Sequence, residues 1–188
     1  MPLAVRLGPS HFHDICAHLL RLGPQDRYLR FGHTVDDHGL VRYAHGLDPA
    51  QAALFGVVDP ELELVAFAHL ALDEDCAELG LSVLPGQRRR GMGQALLERA
   101  VTHARARGMR TLFMQCLADN AVMQRLARRA GMAVVTHQGE TEARLALQEG
   151  TADTQVDDWM NDQIALIDYA LRARWLSAHR ALESIGAA

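Results

Sequence analysis

The segment Glu78–Gly93 carries a carboxylate, three consecutive arginines and two closely spaced glycines across a predicted strand-to-helix turn. Its apolar run ends near Val83, Pro85-Gly86 breaks the strand, and a helical pattern covers Gln94–Arg107. A helix N-terminus presents free backbone N–H groups and the positive end of the helix dipole. A glycine-containing loop at that end is therefore suited to binding a phosphate. The sequence predicts an anion site next to a strand that bears a carboxylate.

The glycine spacing excludes two common nucleotide-binding loops. The segment has no Gly-x-x-x-x-Gly-Lys-Ser/Thr and no third glycine that would complete the dinucleotide fingerprint. What remains is Arg88-x-x-Gly91-x-Gly93, which resembles the acetyl-CoA pyrophosphate loop of the GNAT superfamily of N-acetyltransferases. An ordinary tight turn is the alternative interpretation of the two glycines taken alone.

A downstream segment extends this resemblance. Leu117–Asn120, followed by Met123, resembles the GNAT strand-to-helix segment in which an asparagine contacts the cofactor. Together with Glu78 and Tyr28–Phe31, it is most similar to the bacterial protein lysine acetyltransferases, the Pat branch. Many GNAT enzymes carry a tyrosine seven residues after the asparagine, where this chain has Ala127, and Pat members commonly lack that tyrosine. The resemblance covers about residues 3–148.

The resemblance implies an acetyl-CoA-dependent enzyme with no metal. Glu78 lies on the strand that the family uses to bind the acetyl and pantetheine groups, so it is the candidate general base. A solvated bystander is the alternative for Glu78, and His69 on the neighbouring strand is the reserve base. The acceptor side is expected to include Tyr28, Arg30 and Phe31. The coenzyme is expected to contact Leu81, Ser82, Val83, Arg88, Arg89, Arg90, Gly91, Met92, Gly93, Gln94, Asn120 and Met123.

The acceptor is predicted to be a primary amine, with a protein lysine favoured. A small amine such as an amino acid, polyamine or antibiotic is the second possibility, and a non-catalytic module that senses acetyl-CoA is the third. Several acidic residues would favour a cationic acceptor if they rim the site, although a solvated face is the plainer explanation: Asp36, Asp37, Asp73, Glu74 and Asp75.

Composition narrows the class of protein. A length of 188 residues fits one domain with a full core. The net charge of −4 argues against bulk nucleic-acid binding. Cys16, Cys76 and Cys116 have no metal-ligand spacing and are expected to be free thiols. The first residues lack a signal pattern and no apolar run reaches membrane-spanning length, so we expect a cytoplasmic protein without a membrane partner.

Hydrophobic periodicity predicts a mixed α/β sheet with helices on both faces, in the element order expected of the GNAT fold. Ser10 is the predicted N-cap of the first helix, and Asp119 or Asn120 that of the last helix in this region. The predicted strands cover 3–7, 52–58, 62–72, the Glu78 segment, 111–117, 132–137 and 141–147, and the predicted helices cover 10–22, 35–46, 94–107 and about 120–130.

The C-terminal region, residues 150–188, is predicted to be an extension of an acetyltransferase domain formed by residues 1–149. A polar linker is expected to lead into a helix over Asp157–Ile185, whose apolar residues recur with helical spacing. A helix of this length is roughly 40 Å long, more than a compact domain easily covers. We therefore expect it to pack partly on its own domain and partly on a second subunit in a homodimer. A helix pair folded back on the monomer is the alternative.

Overall fold

The computed structural model describes residues 2–186, with side chains for residues 2–179. In this part of the chain, seven strands form one sheet and six α-helices pack around it. The strands are β1 (Val5–Leu7), β2 (Ala52–Val58), β3 (Leu64–Asp73), β4 (Cys76–Val83), β5 (Thr111–Leu117), β6 (Ala133–His137) and β7 (Glu140–Ala146). The helices are α1 (Phe12–Leu20), α2 (Pro24–Phe31), α3 (Asp37–His45), α4 (Met92–Ala106), α5 (Ala121–Arg129) and α6 (Ala152–Gly186).

The strands form one sheet in the order β1-β2-β3-β4-β5-β7-β6. Every neighbouring pair is antiparallel except β4 and β5, which are parallel. The β3–β4 ladder runs from Asp73↔Cys76 to Ala66↔Val83. The β4–β5 ladder has three residue pairs and ends at Glu78↔Phe113. The two central strands therefore part beyond Glu78, and a gap opens in the middle of the sheet.

Helices cover both faces of this sheet. Leu81 and Ser82 are adjacent on β4, so their side chains point to opposite faces. Ser82 bonds to His18 of α1. A Cβ added at Gly93, in the first turn of α4, would lie 4.0 Å from the Leu81 side chain. The α1–α3 layer and α4 are thus on opposite sides, and the mixed α/β fold with helices on both faces is confirmed.

The first helical region differs from the prediction. Residues 9–11 form a 3₁₀ turn before α1, and Ser10 makes no cap, because its hydroxyl lies against His11 Nδ1 at 3.3 Å. The segment after Pro24, which showed no helical pattern in the sequence, is helix α2. Pro24 is suited to a first helical turn, since that turn needs no N–H from it, and Gly32 ends the helix at φ 75°.

The C-terminal helix begins earlier than predicted. Thr151 and Thr154 exchange backbone-to-hydroxyl hydrogen bonds of 3.2 and 3.3 Å, which start α6 at Ala152 and leave no polar linker before Asp157. α6 is a single helix of 35 residues, about 52 Å long. The alternative of a folded-back helix pair is therefore wrong.

Buried charges dock α6 onto the sheet layer. Arg99 of α4 is 6% exposed and pairs with Asp158 and Asp162 of α6. The ring of His103 donates to Asp158 over 3.0 Å, and Arg6 of β1 lies 3.5 Å from Asp162. Burial raises the pKa of Asp158, but hydrogen bonds from His103 and Arg99 outweigh it and hold this pKa at about 2. These contacts fix one face of α6 to α4 and β1.

The opposite face of α6 carries an exposed apolar stripe. With 100° between successive helical residues, the stripe lies roughly 150° from the face that holds Asp158. Its members are exposed large hydrophobic residues spaced three or four apart: Val156, Met160, Ile164, Ile167, Leu171 and Trp175. Asp153 and Asp157 lie in the N-terminal half of the helix and Arg174 lies in the second half, while Arg172 pairs with Asp168 of the same helix at 2.7 Å. An antiparallel pair of α6 helices would therefore bring acidic halves beside basic halves.

The homodimer stays a prediction, and we propose that a second copy covers this stripe. Light scattering should give a mass near twice 20.7 kDa for the chain. Ile167→Glu, which puts a charge in the middle of the stripe, should return the protein to monomer mass. Leu166→Glu is the matched control, because Leu166 is 62% exposed but lies off the stripe. A monomeric mass for the unaltered chain, or equal behaviour of both variants, would contradict the dimer.

Candidate active site

The gap between β4 and β5 exposes backbone groups of β4. The N–H of Leu84 donates to Val65 of β3 over 3.0 Å. Successive N–H groups of a strand point to alternate sides, so those of Val83 and Leu81 point away from β3 and toward the gap. Since β5 pairs with β4 only as far as Glu78, these groups face no strand partner there. The gap can accept an extended, amide-containing ligand as an added strand.

The N-terminus of α4 adjoins this gap. Gly91 is its N-cap at φ 81°, a conformation that favours glycine, and among the described residues no side chain caps the helix. The first bond of the helix runs from Ala95 N–H to the Gly91 carbonyl, so the N–H groups of Met92–Gln94 precede the ladder. A Cβ at Gly93 would meet Leu126 of α5 at 3.6 Å. An anion held here would lie where α4, α5 and β4 converge.

The arginines of the loop differ in what they contact. Arg88 donates through Nε to the Val83 carbonyl over 3.1 Å and pairs with Asp26 of α2 at 2.7 Å. Its guanidinium therefore links the end of β4 to α2, and contact of Arg88 with the coenzyme stays a prediction. Arg90 donates to Gln87 over 3.0 Å, while Arg89 is exposed at φ 62°. Gln94 donates to Glu98 over 2.8 Å.

Glu78 lies at the fork where the two strands part. It is the last β4 residue paired to β5, and its side chain is exposed. It shares a face of β4 with Gly80, two residues further on, because strand side chains alternate. That face is the one covered by α1, α2 and α3. The carboxylate is therefore accessible beside the free backbone groups of the gap.

The residues predicted to line the acceptor side lie on helix α2, close to β4. Arg30 of α2 rests its guanidinium on Gly80, donates to the Tyr43 hydroxyl over 3.2 Å, and packs on the ring of Phe31 at 5.1 Å. Tyr28 of the same helix is 40% exposed. α2 contacts both β4 and β5, so it lies over the fork, and contact of its residues with an acceptor stays a prediction.

His69, the reserve base, is tied into the same cluster. Its Nδ1 lies 2.8 Å from the Tyr43 hydroxyl. Burial, aided by the charge of Arg30, lowers the pKa of His69 to about 4, so the ring is neutral near pH 7. Burial likewise raises the pKa of Tyr43. In either tautomer Nδ1 is engaged with Tyr43, which leaves only Nε2 to take a proton.

Asn120 occupies the end of β5 opposite β4. It is the N-cap of α5 and accepts from Met123 N–H over 3.2 Å. Its amide also approaches the Leu29 carbonyl of α2 at 3.5 Å, and the residue is 8% exposed. Asn120 therefore caps α5 and links the loop after β5 to α2. Contact of either residue with a cofactor stays a prediction.

The hydroxyl of Ser82 has a partner that the sequence did not indicate. His18 of α1 donates through Nδ1 to the Leu64 carbonyl over 3.1 Å, so its Nε2 accepts from Ser82, 2.8 Å away. Burial lowers the pKa of His18 to about 4, and the neutral ring is what this arrangement needs. The signal in sequence was the position of His18 in the buried stripe of α1, with Ile15 and Leu19. Ser82 therefore binds α1 to β4.

Tyr43 was also missed from the sequence. It lies in α3 between the buried Leu40 and Ala44 positions, and its signal was a polar-tipped aromatic residue on an otherwise apolar helical face. The fork therefore has backbone N–H donors of β4 on one side. The side chains of Glu78 and of the Arg30, Tyr43 and His69 cluster lie on the other side.

Comparisons with known proteins are consistent with this geometry. A family model, the Acetyltransferase (GNAT) family, matches residues 21–132. The amino-acid acetyltransferase of Pseudomonas fluorescens (strain Pf0-1) is 41% identical over 78 residues, which are 40% of this chain and 18% of that protein. The chain thus spans less than a fifth of the length of that curated relative.

Solved structures share the fold. The GNAT domain of S. lividans PAT has a TM-score of 0.67 at 19% identity, covering 77% of this chain and 89% of that one. A GNAT superfamily phosphinothricin acetyltransferase from Sinorhizobium meliloti, in complex with AcCoA, has a TM-score of 0.62 at 14% identity, covering 80% and 91%. At sequence identities of 19% and 14%, the structural similarity shows that the fold is shared and nothing beyond it.

The buried neutral His18 makes the free energy of unfolding depend on pH. The pKa of His18 is about 4 in the folded protein and 6.5 unfolded. The contribution of neutral His18 to the free energy of unfolding is fully present above pH 6.5. It declines as the pH falls toward 4, by about 3 kcal/mol in total. Urea unfolding at pH 7 and pH 4.5 should show this loss reduced by about 2–3 kcal/mol in His18→Asn. His13→Asn, at an exposed position of α1, is the control. An unchanged loss in His18→Asn would contradict the assignment.

Proposed function

We propose that this chain, which belongs to the acetyltransferase (GNAT) family, transfers an acetyl group from acetyl-CoA to a primary amine by direct attack in a ternary complex. The observation that carries the proposal is the gap between β4 and β5, with free backbone donors on β4 and the uncapped α4 N-terminus beside it. The superfamily prediction is confirmed by the family match and the shared fold. Assignment to the Pat branch stays a prediction.

The residues at the gap fit the coenzyme in shape and chemistry. Backbone N–H groups of Leu81 and Val83 are available to amide groups of pantetheine, in the manner of strand addition. The N–H groups of Met92–Gln94 are available to the diphosphate, where the helix dipole favours negative charge. Acetyl-CoA, when bound there, supplies an acetyl thioester with its carbonyl near the same β4 donors. The exposed Arg89 is suited to contacts with the phosphates from the solvent side.

Glu78 is proposed to remove the proton that the attacking amine must lose. An alkyl ammonium has a pKa of about 10.4, so the acceptor arrives charged and needs a base, directly or through water. The carboxylate of Glu78 is exposed at the fork, and the hydrogen-bonded His69 is less available. The amine nitrogen then forms the new amide bond as the carbon–sulfur bond breaks, and the thiolate leaves.

The chain has no tyrosine at the position from which many family members protonate the leaving thiolate. Ala127 is 1% exposed and packs in the core, so it offers no donor. The proton for the thiolate therefore comes from water or from the acceptor itself. Protonation of the thiolate by water is compatible with a fork that is open to solvent.

The acceptor is the finer part of the proposal. Protein lysine was favoured from the sequence, and the relatives named above act on different amines. Two of the acidic residues that were expected to attract a cationic acceptor instead make contacts within the protein. Asp36 caps α3 by accepting from Gly39 over 2.7 Å, and Asp37 pairs with Arg27 at 2.6 Å. This weakens the case for a cationic protein surface as acceptor and leaves a small amine as the stronger alternative.

Localisation stays a prediction. Among the residues that the structure describes, no helix has the length and apolar character to cross a membrane. No group of three or more potential metal ligands is gathered in that part of the chain. The expectations of a cytoplasmic and metal-free enzyme are untested by these findings.

Replacing the base tests the proposal. Glu78→Gln should lower the rate of thiol release from acetyl-CoA, with an amine acceptor, by about one to three orders of magnitude, because it removes the proton acceptor. Acetyl-CoA affinity, measured by calorimetry, should stay within about twofold because the β4 and α4 backbone donors are intact. Glu74→Gln, an equal charge change at an exposed turn before β4, is the control.

Three outcomes separate the alternatives. Unchanged turnover in Glu78→Gln would show that Glu78 is a bystander. An equal loss in Glu74→Gln would indicate a general field effect. Acetyl-CoA binding without thiol release from any amine would favour the non-catalytic sensing module.

A further inference from the structure

Arg30 carries a charge at the fork that makes no direct ion pair with any carboxylate of the described residues. Its guanidinium lies flat on Gly80, so closely that a Cβ there would come within 2.4 Å of the guanidinium carbon. Glycine at position 80 is thus what lets an arginine rest against β4, immediately beside the gap. The residue is half-buried, and its Nε is fully buried without a hydrogen-bond acceptor.

The contacts of Arg30 are neutral. It donates to the Tyr43 hydroxyl over 3.2 Å and packs against the rings of Phe31 and Tyr43, 5.1 and 5.9 Å from their centres. Among the described residues, carboxylates pair with other arginines, including Arg27, Arg88 and Arg99, but none pairs with Arg30. A partly desolvated cation without a counter-ion is costly, so a complementary ligand would gain by supplying one.

The cluster around Arg30 is held in one orientation. Tyr43 is hydrogen-bonded to both Arg30 and His69, and its ring packs edge-on against Phe31 and His69. A guanidinium fixed in this way presents its remaining N–H donors as a planar fork, which matches the two oxygens of a carboxylate. The cluster is therefore preorganised to bind an anion.

Glu78 provides the second half of a zwitterion site. Glu78 and Gly80 share a face of β4 and are about 7 Å apart along the strand. In an α-amino acid the amine and carboxylate are separated by two covalent bonds, and with one hydrogen bond at each end such a ligand spans at most about 8 Å. Position 78 and the guanidinium that rests on Gly80 thus lie on one face at a spacing comparable to such a ligand, whose amine would face Glu78 and whose carboxylate would face Arg30.

We propose that the acceptor is a small amine with an adjacent carboxylate, of the α-amino acid class, and that Arg30 binds that carboxylate. This rests on the proposed acetyl transfer and names the acceptor for the same site. The ε-amine of a protein lysine has no carboxylate beside it and would bring a second cation to the uncompensated guanidinium. The geometry thus favours the small-amine alternative over the protein lysine.

Matched acceptors test this on the unaltered chain. Thiol release from acetyl-CoA is measured with the common free L-amino acids, with the carboxamide of each, and with a lysine-containing peptide blocked at both ends. At least one free amino acid should have a kcat/KM about tenfold or more above its carboxamide. The peptide should be poorer than the best free amino acid.

Variants of Arg30 test whether this residue binds the carboxylate of the acceptor. Arg30→Gln should lower kcat/KM for the best amino acid by about 30- to 1,000-fold, mainly through KM, since it removes one partner of a desolvated charge pair. It should bring the acid and its carboxamide within about threefold of each other. Arg30→Lys keeps the positive charge but not the planar pair of N–H donors. Its kcat/KM should fall between that of Arg30→Gln and that of the unaltered chain. Arg42→Gln removes an exposed arginine from α3 and should change neither acceptor.

The outcomes distinguish this inference from the proposed function. If carboxamides or the blocked peptide match the free acids, and Arg30→Gln alters none of them, the carboxylate site is wrong while acetyl transfer stands. If no amine of any kind releases thiol, both fall. Because the acid-to-carboxamide ratio is measured on the unaltered chain, a folding defect in a variant does not remove the test.

Discussion

The end of the β4–β5 hydrogen-bond ladder at Glu78 is the constraint on which this structure depends. β4 stays paired to β3 along its length, and β5 stays paired to β7 from Thr111 to Leu117. Each strand is therefore fixed on its outer side while the inner sides separate. Backbone donors that a continuous sheet would have consumed remain available, and they are supported by rigid strands. A ligand that completes this ladder gains hydrogen bonds without requiring the protein to reorganise.

The two faces of the fork have different chemistry. On the α4 face, small residues and a helix N-terminus offer backbone N–H groups to an anion. On the α2 face, Glu78 and Arg30 offer side-chain charge, with Gly80 making room for the guanidinium. Arg88 joins these faces, because it contacts the Val83 carbonyl at the end of β4 and Asp26 in α2. The loop that carries Arg88 and helix α2 are therefore mechanically connected.

Local patterns in the sequence sufficed for the sheet and the glycine turn before α4, because strand alternation and helix-terminus chemistry act over a few residues, whereas the role of Glu78 stays a prediction. The contacts that shape the acceptor side could not be predicted, since they join distant segments. His18 meets Ser82 across 64 positions, and Arg30 meets Gly80 only after α2 folds over β4. The Arg88 motif position predicted a phosphate ligand, which stays a prediction, and gave no sign of the ion pair between Arg88 and Asp26. Helix α2 itself was hidden because none of its residues is fully buried and its half-buried positions include the charged Asp26, Arg27 and Arg30, which give no apolar stripe.

Hydrogen–deuterium exchange with and without saturating acetyl-CoA tests the central claim most directly, because amide protection reports which N–H groups the ligand engages. Peptides covering residues 79–83 and 89–94 should exchange more slowly when the coenzyme is bound, while the edge strand β6 should be unchanged. Unaltered exchange in both segments at saturation, or protection confined to other parts of the chain, would contradict the claim that the fork and the α4 N-terminus hold the coenzyme.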